Sequence, residues 1–326
     1  MSLGGEIRVV LAGDTMLGRG VAAEIRRRGT ARGLFAPEIV EEARAADLVL
    51  LNLECCVSER GEPWPDPAKP FFFRAPPLAL EALAELGVDC VTLANNHTLD
   101  FGTTALLDTL RHLDEAGIAR VGAGEDVEEA RRPAVLRARG LRVAVIGVTD
   151  HPADYAAGPG HPGVAYADLW NAPPPDWLLR SVTGARDQAD AVVVTPHWGP
   201  NLAPSPVPHV RTAAAQLVAA GATLVAGHSA HVFHGAVPPV LYDLGDFIDD
   251  YAVDPELRND LGLLWTVTLR AGELRRVEAL PLRLDYARTR LAEAADRAWI
   301  ARRLRRACAE LGTPVTEEDG RLVVGA

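Results

Sequence analysis

The chain is 326 residues long with a formal net charge of −11, 33 basic residues against 44 acidic ones, and ordinary shares of hydrophobic (48%) and charged (24%) residues. That balance fits a globular protein with room for one large domain and a short C-terminal appendage. It argues against a nucleic-acid partner, because Arg302-Arg303-Leu304-Arg305-Arg306 is the only basic tract. It also argues against a membrane span, because no apolar run nears the roughly 20 residues that a bilayer requires. Met1-Ser2-Leu3-Gly4-Gly5-Glu6 has neither the basic nor the apolar segment of a signal peptide, so a cytoplasmic location is expected for the sequence as given. Four cysteines are too few for a disulfide scaffold at this length. Adjacent Cys55 and Cys56, together with Cys90, read as small apolar fillers ahead of ligands or redox centres. Lys69 is the single lysine, which reads as coding bias toward arginine rather than function.

In chain order, Ile7 to Leu11 reads as a strand that ends in Ala12-Gly13-Asp14-Thr15. The neighbouring glycines are expected to let the backbone turn tightly around whatever Asp14 holds. Val21 to Arg28 reads as a helix, and Pro37 to Ala46 as a second with proline at a favourable first position. Asp47 to Leu53 is an apolar strand followed at once by Glu54. Gly61 to Pro77 contains six prolines and the run Phe71-Phe72-Phe73-Arg74. It is too apolar for a linker and is expected to pack over a sheet and flank the site.

Pro77 to Leu86 reads as a helix and Val88 to Leu93 as a buried strand. That strand delivers Ala94-Asn95-Asn96-His97-Thr98-Leu99-Asp100, ahead of an amphipathic helix over Thr103 to Ala116. Two readings of this stretch stand side by side: a metal or general-acid site at a strand's carboxyl end, or a turn whose asparagines cap the helix while His97 is solvated. Ile118 to Val121 reads as a short strand and Val127 to Ala130 as a partial helix, and Ala134 to Arg137 forms a hairpin with Leu141 to Val148. Thr149 to Pro175 reads as a surface loop with His151 and His161 solvated. Trp177 to Arg186 is helical, Ala189 to Thr195 is a strand that delivers Pro196-His197-Trp198-Gly199, and Val207 to Ala220 is a helix. Ala222 to Ala226 is a further strand, ending in Gly227-His228-Ser229-Ala230-His231.

Five expected strands thus end in Asp14, Glu54, Asn96-His97, His197 and His228/His231. Singly, each is more often a cap or a satisfied polar group. Together they form a mixed set of hard oxygen and imidazole donors suited to Zn²⁺, Mn²⁺ or Fe, unlike an all-oxygen calcium cage or an all-thiolate zinc site. A carboxylate can bridge two such cations, which polarise a phosphoryl or carbonyl oxygen and activate water, while a free histidine protonates the leaving group.

The order Gly13-Asp14-Thr15-Met16-Leu17-Gly18-Arg19, Asn52-Leu53-Glu54, Ala94-Asn95-Asn96-His97, His197-Trp198-Gly199, Gly227-His228-Ser229-Ala230-His231 and Tyr242-Asp243-Leu244-Gly245-Asp246-Phe247 resembles the CapA family of poly-γ-glutamate capsule biosynthesis proteins. Those proteins share the calcineurin-like metallophosphoesterase fold. The resemblance covers residues 6–282 and leaves 283–326 as a helical appendage, with an amphipathic helix expected over Arg290 to Leu311. It implies a four-layer α/β/β/α sandwich with two divalent metals, Mn, Fe or Zn, at its sheet edges. It further implies Asp14 as a first-metal ligand, Glu54 as the bridging acid, Asn96 and His197 on the second metal, and His228 and His231 on one metal each. His97 is implied as general acid, with Asp100 and Arg19 completing the catalytic group. The chain departs from the metallophosphoesterase pattern in four places. Met16 stands where Asp-x-His carries histidine, and the paired histidines are His-x-x-His rather than His-x-His. Asn201, after Pro200, replaces the acid that follows His-Trp-Gly. Asp246 replaces asparagine in Leu-Gly-Asn-Phe and reads as a turn carboxylate ahead of an added ligand.

Three functions compete. One is a metal-dependent hydrolase of a phosphoester or of an amide such as a γ-glutamyl bond. A second is a non-catalytic component that holds an anionic chain such as polyglutamate, with Arg19 and Arg74 offsetting repulsion from an acidic protein. A third is a pathway enzyme acting on a small carboxylated metabolite. The expected partners are an anionic small molecule or polyglutamate and a second copy of the chain in a homodimer. A truncated, membrane-anchored form is the alternative to the cytoplasmic location.

Overall fold

The computed structural model describes residues 5–325, so Met1 to Gly4 of the stretch judged unlike a signal peptide lie outside the described residues. The protein is a mixed α/β structure with two large sheets. In the first, the strands run in the spatial order Val315–Glu318, Arg321–Val324, Glu273–Asp285, Leu261–Arg270, Glu6–Thr15, Leu48–Leu53, Cys90–Thr92, Ala119–Val121, with Asp246–Ile248 lying beside Glu6–Thr15. In the second the order is Ala236–Val237, Val240–Leu241, Leu224–Ala226, Ala191–His197, Leu141–Thr149, Ala134–Ala138.

Side-chain alternation along these strands divides the interior into three apolar regions. On Glu6–Thr15, Val10 and Ala12 pack with Val21, Ile25, Ile39, Leu83, Leu106 and Leu110 of the covering helices. The intervening Ile7, Val9 and Leu11 pack instead with Val143, Val145, Val193 and Leu224 of the second sheet. The second sheet splits in the same way, with Ala144, Ile146, Val192 and Val194 facing Leu178, Val182, Val210 and Leu217 of the helices Asp176–Gln188 and Pro208–Ala220. Strands buried on both faces read as continuous apolar runs, which is why Leu48–Leu53 and Ala191–His197 begin with unbroken apolar stretches and no polar face.

The first strand differs from its expected bounds, running through Thr15 instead of ending at Leu11. The cause is a parallel partner: Asp14 pairs with Asp246 and Thr15 with Ile248, and the register shifts beside them. Gly13 permits this apposition, since a Cβ there would lie 1.7 Å from the carbonyl oxygen of Gly245. The tight turn expected around Asp14 is therefore an extended strand squeezed against a second one. At the C-terminus the helix spans Ala294–Ala309, starting later than Arg290 because Arg288–Leu291 is a strand on Glu273–Asp285. Ile300, Leu304 and Cys308 of that helix enter the core between the sheets, and Val323 pairs with Glu278, so residues after 282 supply strands as well as a helix. No helix among the described residues is long and apolar enough to cross a membrane.

The Gly13 contact has a direct consequence. Gly13→Ala should lower unfolding free energy by about 1–3 kcal/mol or more through overpacking. By contrast Gly184→Ala, in a helix with open space around it, should raise it by about 0.5–1 kcal/mol. Urea titrations of the two variants against the parent check both signs.

Candidate metal centre

Strand ends from both sheets meet at one edge. The first sheet contributes Asp14 near the end of Glu6–Thr15, Glu54 just past Leu48–Leu53, and Asp246 at the start of Asp246–Ile248. The second contributes His197, the last residue of Ala191–His197, and the segment after Leu224–Ala226 that bears His228 and His231. Backbone pairing holds the two histidine segments together: His228 N–H donates to the Pro196 carbonyl at 2.9 Å, and Trp198 N–H donates to the His228 carbonyl at 3.1 Å. Ser229 (φ 109°) and His231 (φ 57°) adopt left-handed backbone, a strain that non-glycine residues keep where the surroundings fix it, most often at functional sites.

Asp14, Glu54, His231 and Asp246 each offer a ligand atom within 4.8 Å of the others, and all four are buried. His231 Nδ1 lies 2.8 Å from Asp246 Oδ1, 3.4 Å from Asp14 Oδ2 and 3.9 Å from Glu54 Oε2. His228 Nδ1 is 3.2 Å from Asp14 Oδ1, and His197 Nε2 is 3.8 Å from Glu54 Oε1. Asn96 is anchored through its backbone, its carbonyl accepting from Lys69 Nζ at 2.8 Å. The orphaned atoms are informative, because buried polar groups are nearly always hydrogen-bonded. Both oxygens of Glu54, His197 Nε2, His228 Nδ1, Asp246 Oδ2 and Asn96 Oδ1 are buried without a hydrogen-bond partner. All are lone-pair donors of the kinds a divalent cation accepts, so the residues fit a metal.

The groups around this centre are oriented from behind. Asn52 Nδ2 donates to Asp14 Oδ1 at 2.8 Å, and Asn95 Nδ2 donates to Asn52 Oδ1 at 2.9 Å. His228 Nε2 meets Thr195 Oγ1 at 3.0 Å, which leaves its Nδ1 toward Asp14. Such partners fix ring orientation and ligand basicity in metal sites.

Electrostatics follow from burial and crowding. Burial, then the charge of Asp14, push the Glu54 carboxyl far above its ordinary range. Burial followed by Asp249 does the same to Asp246. For Asp14 burial also raises the value, but the close contact and charge of His228, with the charges of His197 and His231, win and hold it low. Burial drives His197 well below the usual imidazole value. For His231 burial acts downward, yet Glu54 and Asp14 override it and raise the value. These crowded carboxyls and imidazoles have thus been drawn apart in proton affinity, as desolvation and neighbouring charge require.

His97 and Asp100 form a dyad, His97 Nδ1 to Asp100 Oδ2 at 2.6 Å, with the imidazole stacked on Phe73 at 3.7 Å between centroids. Burial lowers His97 to about 4, against the pull of Asp100. Asp100 is fully buried and also meets Phe73 N–H at 2.5 Å, Tyr155 OH at 3.2 Å and Lys69 Nζ at 2.9 Å. The structure therefore places Asp100 behind His97. Arg19 stands apart from the acids: it pairs with Asp250 at 3.1 Å and lies over Phe71, Phe73 and Tyr251. Arg74 likewise stacks over Phe101.

Two readings need correction. Asp246, expected as a turn carboxylate, joins Asp14, Glu54 and His231, because its strand runs parallel to that of Asp14. His151, expected to be solvated, is paired with buried Asp150 and sits 5.2 Å from the His197 ring. The sequence marks no role for Asn52, Thr195 or Tyr155, offers Asn95 only as a helix cap, and makes Lys69 look like coding bias. Asn52 and Asn95 lie inside the motifs and were within reach, whereas Lys69 and Tyr155 come from loops with no pattern to mark them.

A buried carboxylate and imidazole centre at the joined edges of two sheets defines a candidate metalloprotein. The chain belongs to the bacterial capsule synthesis protein family PGA_cap, which residues 8–251 match. It is 32% identical to a probable polyglutamine synthesis accessory protein of Mycobacterium tuberculosis, over 97% of this chain and 95% of that one. It is 30% identical to the capsule biosynthesis protein CapA of Bacillus anthracis, over 75% of this chain and 60% of the other. A hypothetical protein from Thermus thermophilus aligns with a TM-score of 0.43 at 17% identity, covering 87% of this chain and 96% of that one.

The orphaned Glu54 gives opposite expectations with and without cation. In chelator-treated protein, Glu54→Gln should be at least as stable as the parent, since the amide stays neutral where an ionised Glu54 would be repelled by Asp14 and Asp246. Addition of Mn²⁺ or Zn²⁺ at about 100 times Kd should stabilise the parent by about 2.7 kcal/mol and the variant far less. Thermal melts of both proteins, with and without metal, check the crossover.

Proposed function

We propose that the chain is a metal-dependent hydrolase of the CapA type, acting on a phosphoester or on an amide such as a γ-glutamyl bond in an anionic substrate. The observation that carries this reading is the convergence of buried donors on one point, Asp14, Glu54, His231 and Asp246 within 4.8 Å of one another with His197 and His228 beside them, several of their atoms unpartnered. Asp14, Glu54, Asp246 and His231, with His228 beside them, would hold a divalent ion, and His197 and Asn96 are the residues that would serve a second. Mn, Fe and Zn all suit the set. When bound, such ions polarise a phosphoryl or carbonyl oxygen and activate water. The three apolar regions support a four-layer α/β/β/α sandwich of the metallophosphoesterase type. Residues 6–282 form its domain in this reading, and 283–326 are an extension sharing its first sheet.

The chain's own residues divide the remaining work. His97 presents Nε2 as its free ring nitrogen, because Nδ1 is committed to Asp100. It is the group we assign to take a proton at Nε2 from the attacking water and then pass it to the leaving oxygen or nitrogen. Asp100 positions it, and Phe73 shields one face of the ring from water. Arg19, partly exposed beside Phe71, is assigned to attract the anionic part of the substrate.

A second reading, non-catalytic holding of a polyanion such as polyglutamate, is favoured by Met16. Its buried thioether accepts from the Gly18 N–H at 3.1 Å and stands where a first-metal histidine would be.

With Mn²⁺ or Zn²⁺ present, the protein should release nitrophenol from a phosphodiester or nitroaniline from a γ-glutamyl anilide. His97→Asn should lower kcat by about 10²–10⁴-fold while metal content by elemental analysis stays at the parental level, and His197→Ala should lose both. Bound metal without turnover of either probe, alongside polyglutamate binding that survives His97→Asn, favours the second reading instead.

A further inference from the structure

Lys69 is the one lysine among 33 basic residues, so arginine serves at every other basic position. It does not lie on the surface: its side chain is 12% exposed, in the proline-rich loop between Gly61 and Pro77. Its ammonium reaches two points of the Asn96-His97-Asp100 motif at once, with Nζ 2.9 Å from Asp100 Oδ1 and donating to the Asn96 carbonyl at 2.8 Å. The rings of Phe72 and Tyr155 lie 5.9 and 5.5 Å from Nζ, a flanking arrangement that favours a cation.

Each of these contacts has a chemical reason. Asp100 is completely buried, and its remaining donors, the Phe73 amide, the Tyr155 hydroxyl and the Nδ1–H of an imidazole whose burial disfavours its charged form, are neutral. A buried carboxylate needs a formal counter-charge as well as dipoles, since loss of one partner from a buried pair leaves an uncompensated ion. An ammonium is a compact charge with three donors arranged tetrahedrally, able to serve a carboxylate and a carbonyl in different directions. A guanidinium is a flat, wider fork matched to one bidentate acceptor. The single departure from arginine therefore falls where the geometry calls for the smaller ion, and coding bias does not explain it.

We propose that Lys69 is a positioning residue of the candidate active centre. Its ammonium ties Asp100 to the Asn96 backbone, so that Asp100 accepts the His97 Nδ1 proton and His97 keeps Nε2 free on the side away from Asp100. The functional part rests on the reading of His97 as the proton-transfer group; the tautomer part does not. Lys69 fixes where that nitrogen points and acts on substrate only through His97 and Asn96.

The test is ¹⁵N NMR of histidine side chains in zinc-supplemented protein, with His97 assigned from its loss in His97→Asn. The parent should show His97 with Nδ1 protonated and Nε2 unprotonated. Lys69→Met should show a mixture of tautomers while the other histidine signals and the far-ultraviolet dichroism stay unchanged, and its kcat on the responsive probe should fall by at least about 10-fold with KM changed less than about twofold. Lys69→Gln, which keeps a donor but not the charge, takes its place if Lys69→Met does not fold. A parental His97 signature in whichever variant folds overturns the proposal, as does a parental kcat beside an altered signature. A parent that turns over neither probe overturns the hydrolase reading alone, and the tautomer comparison still judges Lys69.

Discussion

Three carboxylates crowded together out of water are the constraint on which the rest of the structure turns. Asp14, Glu54 and Asp246 have oxygens within 4.8 Å of one another and are buried. Were all three ionised, two unit charges about 4–5 Å apart would repel by about 3–4 kcal/mol at an effective dielectric near 20, and three such pairs would rival the roughly 5–15 kcal/mol net stability of a typical domain. Burial and crowding accordingly raise the proton affinity of Glu54 and Asp246. The fold meets this with imidazoles from the opposing sheet, His228 beside Asp14 and His231 beside Asp246 and Asp14. The carboxyl of Glu54 is given no hydrogen bond on either oxygen. A site built only for stability would not leave that carboxylate bare, because apolar residues of similar volume pack there at no such penalty.

The carboxylates and imidazoles come from different sheets, so the core between the sheets sets the site's geometry. Ile7, Val9 and Leu11 precede Asp14 on one strand, and Val193 precedes His197 on another; these side chains touch in one apolar region. A change in that packing would move the two halves of the centre relative to each other, whereas a change under the outer helices would move one sheet with its own ligands. Trp265, fully buried in the same region, pairs with Leu11 on the neighbouring strand and carries this dependence out to the long hairpin.

What was legible in the sequence follows from which forces act locally. Asp14, Glu54, Asn96, His197, His228 and His231 stand out because each follows an apolar run that has to be a buried strand, and polar residues tolerate such a place only at its end. Helix bounds were legible for the same reason, as Gly102–Glu115 and Pro208–Ala220 differ by a residue from periodicity and capping signals. Asp246 was not legible as part of the group. Leu244-Gly245-Asp246 has the local chemistry of a turn, and its pairing with Asp14 joins residues from opposite ends of the domain. Lys69 is illegible for a related reason: a proline-rich loop has no period, and its contacts to Asp100 and Asn96 exist only once the loop is folded over the sheet edge. The hairpin Leu261–Arg270 with Glu273–Asp285 carries no reactive side chain and was passed over, although it joins the C-terminal strands to the first sheet.

The Asn95-Asn96-His97 run shows how far composition underdetermines role. Three adjacent polar residues at one strand end offer similar chemistry, yet the backbone turn sends them in different directions. Asn95 turns inward, donating to Asn52 and to the Leu53 carbonyl and accepting from the His97 amide. Asn96 keeps its Oδ1 unpartnered while its carbonyl is taken by Lys69. His97 folds back onto Phe73 and Asp100. Asn95 thereby links Asp14, through Asn52, to the backbone that carries His97, so a shift at the carboxylate cluster passes to the histidine through two amide hydrogen bonds of 2.9 and 2.8 Å. Replacing any one amide with a carboxylate of the same shape would put a fourth carboxylate beside the cluster and remove the donor that completes the chain. The amides are needed there because they transmit position without adding charge.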